Sequence, residues 1–326
     1  MTLRRSALKA LATGAVAATG TLAVARVRAR RAERLFPPSG HFVDVDGVPV
    51  HYLRKGSGPE VVLIHGASGN MRDFTFRFFD RLAERYTVTA FDRPGMGYTG
   101  RRPPYRTTRR PLGEPPVEQA ALLRAAASRL GIERPIVAGH SFGGIVALGW
   151  AVGDLDGPGT AAAAAVVSFA GVALPWPGGL GWYYTVNGSD LGPFTIPVLS
   201  AYVPAKMVRD RIATTFHPQE PPEGYEAHIG ARLVLRPKSF AANVSQVNGL
   251  RPHVVEMERR YPELALPIEL VHGTDDGTVP IDVHARPFAA RYGASLTELP
   301  GVGHMPHHVD PEACMAAIDR AARRVR

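Results

Sequence analysis

The segment from Ile136 to Val152 constrains this chain more than any other. Ile136-Val137-Ala138 is an apolar run that reads as a buried strand, and it enters Gly139-His140-Ser141-Phe142-Gly143, a G-x-S-x-G pattern. A nearly uninterrupted apolar stretch of helix length follows, from Phe142 to Val152. Strand, tight turn and helix in that order put Ser141 on a sharp, strained elbow. Glycine is needed two residues before and two after the serine, because the strand and helix backbones nearly touch there. The turn lifts the hydroxyl above the sheet and aims the Phe142 backbone N–H at the place where negative charge would develop. The competing reading is a glycine-rich strand–helix turn without chemistry, and the rest of the chain decides between them.

Residues around this elbow alternate between short apolar runs and helical patterns. His41 to Leu53 alternates around Asp46-Gly47, a hairpin signal. Val61–Ile64, Tyr86–Phe91, Val166–Phe169, Ile268–Val271 and Ser295–Leu299 read as strands. Phe74, Phe78 and Leu82, four apart, suggest a helix; Val117 to Leu130 suggests another, and a last one starts at about Pro311. Gly100 to Pro116, rich in Arg, Pro and Gly, reads as an exposed loop, and its arginines as a solvated surface. Strands alternating with helices predict an α/β fold with a mostly parallel central sheet covered by helices on both faces. Residues 172–263 break the rhythm with Pro, Gly and aromatics, and read as an inserted, mainly helical lid.

A serine hydroxyl is a poor nucleophile until a base takes its proton. The chain has 12 histidines, so position must select one. His304 lies in the Gly-flanked loop Pro300-Gly301-Val302-Gly303, after the last strand and before the last helix. His307 and His308 share that loop, but no carboxylate pattern accompanies the three to make a metal site. The acid that orients the imidazole should follow the preceding strand, where Asp275 and Asp276 compete. The alternative position after Val166–Phe169 is Ala170-Gly171-Val172-Ala173, without a carboxylate. A second N–H donor for an oxyanion is expected after Val61–Ile64. Gly66 lets the chain approach closely there, and the Ala67 N–H is the candidate partner of the Phe142 N–H. His65 reads as a residue that holds loop backbone.

With these segments placed, the chain from about Phe42 onward resembles the α/β-hydrolase superfamily. Asp276 stands three after Gly273 and four before Pro280, similar to the G-x-x-D-x-x-x-P arrangement of that family, which selects it over Asp275. Asp92-Arg93-Pro94-Gly95-Met96-Gly97-Tyr98-Thr99 is similar to the family's D-x-x-G-x-G-x-S turn, with Thr99 at the last place. That turn is structural, so Asp92 and Arg93 are expected to do no chemistry. The chain order Ser, Asp, His also matches. Epoxide hydrolases and haloalkane dehalogenases of this shape use an aspartate nucleophile, and Ser141 does not carry their chemistry over. The serine-bearing branches include carboxylesterases, thioesterases, C–C bond hydrolases, prolyl aminopeptidases and cofactor-free perhydrolases.

The resemblance implies acyl transfer through Ser141, His304 and Asp276, with no metal or organic cofactor required. Trp176, Trp182 and Tyr183 lie in the lid with Tyr184 and Phe194, and a pocket they lined would favour a small or medium apolar ester. The same aromatics equally serve to pack the lid onto the domain. A hydrolase acting on a C–C or amide bond is the nearest alternative. A membrane-tethered binding protein on a hydrolase scaffold is another, although its members need not retain all three catalytic residues.

The net charge of +9 suggests nucleic acid until it is located. Residues 1–36 carry eight basic side chains against Glu33, so seven of the nine charges belong to this leader. The domain, 37–326, has no basic stripe interleaved with aromatics, and no nucleic-acid partner is expected. In the leader, the uncharged run 10–25 is short for a span and modest in hydropathy. Arg4-Arg5-Ser6-Ala7-Leu8-Lys9 is similar to a twin-arginine export signal, with Ala23-Val24-Ala25 as a candidate cleavage site. An uncleaved membrane anchor and a frayed amphipathic extension are the other two readings. Cys314, alone, excludes an intramolecular disulfide and reads as a packing residue.

Overall fold

The computed structural model describes residues 2–106, 113–157 and 159–325. Among these, eight strands form one sheet: β1 (His41–Val45), β2 (Val48–Lys55), β3 (Glu60–Ile64), β4 (Thr87–Phe91), β5 (Ile136–His140), β6 (Ala165–Phe169), β7 (Ile268–Gly273) and β8 (Ser295–Leu299), in the order β1-β2-β4-β3-β5-β6-β7-β8. Only β2 runs against the rest; every pair from β4 to β8 is parallel. Asp46 and Gly47, both at positive φ, close the β1–β2 hairpin with Val45 opposite Val48.

Side chains alternate across the pleat and build two cores. Val62 and Ile64 of β3 with Val137 of β5 face helices Pro116–Arg129, Phe142–Asp154 and Ala285–Tyr292, where Leu123, Ile145 and Phe288 are fully buried. Val61, Leu63 and Ala138 face Phe74, Phe78, Leu82 and the last helix, Pro311–Arg324. Each such aliphatic or aromatic side chain contributes about 1.5–3 kcal/mol by leaving water. Because β5 is buried along its whole length, its C-terminal end, and with it Ser141, is held by both cores. Cys314 is buried in the second core. Asp310 caps the last helix, accepting from the Ala313 N–H at 2.9 Å.

The expected helix through Phe74, Phe78 and Leu82 is two short ones, Arg72–Thr75 and Phe78–Leu82, broken at Phe76 and Arg77. All three spaced residues are buried, but Phe76 turns away to meet Tyr225 edge-on at 5.5 Å, and that contact lies outside the helical repeat. Of the expected Arg/Pro/Gly loop, residues 107–112 lie outside the described residues. The segment between β6 and β7, expected to be a mainly helical insertion, is helical.

The leader is a helix, Thr2–Leu35, that ends before Pro37-Pro38. From about Thr21 it is docked, unlike a frayed extension. Ala25 and Ala32 are buried, Arg28 Nη1 donates to the Val203 carbonyl at 3.2 Å, and Glu33 accepts from Arg236 Nη1 at 3.0 Å. The Tyr98 hydroxyl donates to the Phe36 carbonyl. Among the described residues, no helix is long and apolar enough to cross a membrane.

Candidate active site

Ser141 follows β5 directly and precedes the first turn of helix Phe142–Asp154, with φ +54° and ψ −117°. A non-glycine residue at positive φ stores strain, which the packing around it must hold. Its N–H donates to the Phe169 carbonyl (3.0 Å) and its carbonyl accepts from Gly144 and Val172. The flanking glycines are sterically required. A Cβ on Gly143 would lie 1.9 Å from the Ile64 carbonyl oxygen, and one on Gly139 2.0 Å from the Gly143 carbonyl oxygen.

Three residues distant in sequence meet above this elbow. The Ser141 hydroxyl donates to His304 Nε2 at 2.9 Å, and His304 Nδ1 donates to Asp276 Oδ2 at 2.7 Å. Ser141, His304 and Asp276 are all buried, whereas Asp275 is exposed and its carboxylate accepts from the Thr274 hydroxyl. The second Asp276 oxygen accepts from the N–H groups of Thr278 and Val279, each at 2.8 Å. Burial would raise the Asp276 pKa. Hydrogen bonds from His272 and His304 and the Val279 N–H outweigh it, so the carboxylate stays ionised far below its usual range.

Beside Ser141 runs the loop after β3. A Cβ on Gly66 would lie 3.0 Å from the Ser141 Cβ, so the loop and the elbow are in contact. His65 Nδ1 donates to the Gly66 carbonyl at 2.8 Å, and its Nε2 accepts from the Arg93 N–H at 3.0 Å. Burial and the nearby Arg93 push His65 down to about 4, so it is neutral at pH 7.

Arg93 is fully buried and braces the same loop. Its Nε and Nη2 donate to the carbonyls of His65 and Gly66 (3.0 and 3.1 Å), and Nη1 donates to Gln119 and Gln246 (2.9 Å each). Burial lowers it to about 9, with Glu114 acting the other way, so it keeps its charge at neutral pH. Gln246 and Asn243 come from the lid helix Pro237–Asn248. Asn243 Oδ1 accepts from the Ser68 N–H at 2.6 Å and its Nδ2 donates to the Ser68 hydroxyl at 3.0 Å. Sequence reading passed over both. The signal available was an Asn and a Gln three apart in an otherwise small and apolar helical run.

A second polar cluster adjoins the first. The sequence offered no carboxylate to His307 and His308, but the fold supplies Asp73, which accepts from His307 Nε2 at 3.0 Å, His308 Nε2 at 2.8 Å and the Tyr225 hydroxyl at 2.8 Å. Burial would raise Asp73, and the two imidazoles hold it well below its usual value. The ligand atoms of the three lie within 4.8 Å of one another, close enough for a metal, yet the Nε2 of each imidazole already donates directly to the carboxylate, while the buried His307 Nδ1 has no partner among the described residues. His140 links the clusters by donating from Nε2 to the His304 carbonyl at 2.8 Å. Burial, with His307 and His304 nearby, keeps it neutral.

The three lid aromatics do not share one setting. Trp176 packs partly buried beside His284, with ring centres 6.2 Å apart, and Tyr183 stacks on Phe240 at 5.8 Å. Trp182 is 74% exposed and projects outward, so it walls no enclosed pocket, contrary to the expectation for it. Its flanking glycines Gly179 and Gly181 place it at the start of a short helix on the lid's outer surface.

Residues 61–317 match the model of the alpha/beta hydrolase family. Over 128 residues the chain is 40% identical to the dihydrolipoyllysine-residue acetyltransferase component of the acetoin cleaving system of Cupriavidus necator, a match covering 39% of this chain and 31% of that relative. The chain thus spans under a third of that relative's length. Two solved structures share the fold. A membrane phospholipase A is 24% identical with a TM-score of 0.59, covering 98% of both chains. A thermophilic esterase from Thermogutta terrifontis is 19% identical with a TM-score of 0.66, covering 88% of this chain and 99% of that one. With that match over most of its length, the chain belongs to the alpha/beta hydrolase family.

Proposed function

We propose that this chain is a serine hydrolase of the carboxylesterase kind, acting on a small or medium apolar ester. The observation that carries the reading is the continuous hydrogen-bonded relay from Ser141 Oγ through His304 to a carboxylate kept ionised. In the proposed cycle the Ser141 oxygen attacks the ester carbonyl while His304 Nε2 takes its proton. Asp276 fixes the imidazole tautomer and stabilises the imidazolium. The N–H groups of Ala67 and Phe142 hold the oxyanion, and neither donates to another described residue. His304 passes the proton to the departing alkoxide, leaving an acyl-enzyme. Water then attacks, gives a proton to His304, and the acid leaves as Ser141 regains its proton. The apolar preference is drawn from the aromatic and aliphatic make-up of the inserted segment, in which Ile196, Phe240 and Val244 cluster with Tyr183, Tyr184 and Leu199.

Labelling with a fluorophosphonate probe, alongside hydrolysis of p-nitrophenyl esters of graded acyl length, tests the reading. Wild type should label and turn over, and Ser141→Ala should do neither. Equal labelling of both would refute the assignment of Ser141.

A further inference from the structure

Where the N-terminal helix crosses the lid, a cavity opens that no step of ester hydrolysis uses. It is lined by Arg28 and Ala29 of that helix, Ser200 of the lid helix Gly192–Tyr202, and Arg232, Leu235 and Arg236 of the segment that follows the short helix Tyr225–Ile229. Three guanidinium groups lining one small space repel one another, and their partners account for only part of that charge. Arg236 is saturated: it donates to the carbonyls of Leu233 and Gly97, to the Ser239 hydroxyl and to Glu33. Arg28 donates to the neutral Val203 carbonyl. Arg232 donates to no described side chain or carbonyl. Among the described residues, Glu33 is therefore the one carboxylate paired with the three, which leaves a local excess of positive charge.

The second observation is independent of charge. Ser200 is only 3% exposed, and its hydroxyl has no partner among the described residues. A helical serine ordinarily satisfies itself on the carbonyl one turn back. A buried hydroxyl without a partner is costly unless an acceptor fills the space beside it, and half-buried Arg232 lines that same space.

We propose that this cavity is a phosphate-binding subsite. Arg232 and Arg28 supply the countercharge, and the Ser200 hydroxyl donates to one phosphate oxygen. Guanidinium groups suit the oxygens of phosphate because their N–H donors are fixed in a planar fork. The two helices that contribute Arg28 and Ser200 also carry exposed apolar side chains: Val27, Val198 and Tyr202 are 63%, 48% and 53% exposed. Both a lipid headgroup and a free phosphate ion present this chemistry.

Two binding measurements on the full-length protein separate the sources: calorimetric titration with inorganic phosphate, and co-sedimentation with phosphatidylglycerol–phosphatidylcholine vesicles against pure phosphatidylcholine. Arg232→Gln and Ser200→Ala are compared with Arg209→Gln, which removes an exposed lid charge away from the cavity. Retained ester turnover confirms that each variant is folded. Arg209→Gln should bind as wild type does, and the two cavity variants about tenfold more weakly. Weakening in the phosphate titration assigns the free anion; weakening confined to the vesicles assigns the lipid headgroup. If Arg232→Gln misfolds, Ser200→Ala, which removes a single oxygen, decides. Cavity variants that bind like Arg209→Gln, or a wild type that binds neither probe, overturn the proposal.

Discussion

Arg93 holds its guanidinium carbon 4.2 Å from the centre of the Phe142 ring while donating to the carbonyls of His65 and Gly66. One buried cation thus ties the two backbone segments that carry the proposed oxyanion donors, Ala67 and Phe142. Lysine keeps the charge but cannot span both carbonyls and the two glutamines with one ammonium. Arg93→Lys should therefore lower stability by about 3 kcal/mol, through lost charge-assisted hydrogen bonds at a fully buried position. It should also lower kcat at least tenfold with KM little changed, because donor alignment matters most in the transition state. A variant with unaltered kcat would remove Arg93 from the positioning role.

What the sequence made legible follows from how local each feature is. The elbow at Ser141 is written in adjacent residues: Gly139 answers to the Gly143 backbone four residues on, and Gly143, though its clash is with the distant Ile64 carbonyl, belongs to the same five-residue pattern. The central strands β3 to β7 were legible because burial on both faces demands apolar runs. Asp73 meeting His307 and His308 was not, since the partners lie more than 230 residues apart and no local pattern encodes a contact between a short helix after β3 and one after β8. Arg93 was read as a turn residue, and its turn is real. Its bracing of the loop depends on Gln246 from the lid, which only folding brings near. The helix Ala285–Tyr292 went unread because Pro287 interrupts the pattern, although near a helix start proline is tolerated. The docking of the leader was equally hidden, since Ala25 and Ala32 carry no signal that distinguishes a buried alanine from an exposed one.

Asp276→Asn preserves the size of the side chain, and its carbonyl oxygen can still accept from Thr278 and Val279. The amide, however, offers a donor where His304 Nδ1 now donates, which favours the wrong imidazole tautomer. We expect kcat to fall by about 10⁴-fold with KM nearly unchanged. Burst kinetics with a p-nitrophenyl ester would read this as slow acylation. A loss under tenfold would mean that another carboxylate orients His304.

Acid should destabilise this protein before its carboxylates begin to titrate. Burial holds His65, His284 and His307 at about 4, against 6.5 in an unfolded chain. Between those values the unfolded state binds protons that the native state refuses. Their stabilisation is therefore complete above pH 6.5 and is lost as pH falls towards 4, at up to about 1.4 kcal/mol per pH unit for each group. Asp73 and Asp276, both depressed, add their loss only below their ordinary value of 3.8. Urea midpoints measured from pH 7.5 to 4.5 should decline steadily, and a flat profile would contradict the neutral burial of these imidazoles.

The inserted segment and the loop proposed to hold the oxyanion are joined by Asn243, whose amide both accepts from the Ser68 N–H and donates to the Ser68 hydroxyl. Ser68 sits at φ +53°, a conformation that a serine holds only while its surroundings enforce it. Asn243→Ala removes both bonds and leaves the neighbouring Ala67 N–H free to drift from its proposed place as an oxyanion donor. Two hydrogen bonds of ordinary strength correspond to a loss of about tenfold in kcat/KM and in the rate of fluorophosphonate labelling. Asn243→Asp keeps the acceptor and loses the donor, so it should fall between Asn243→Ala and wild type. A purely structural Asn243 would show a lower melting temperature with the labelling rate intact, and that result would uncouple the lid from the chemistry.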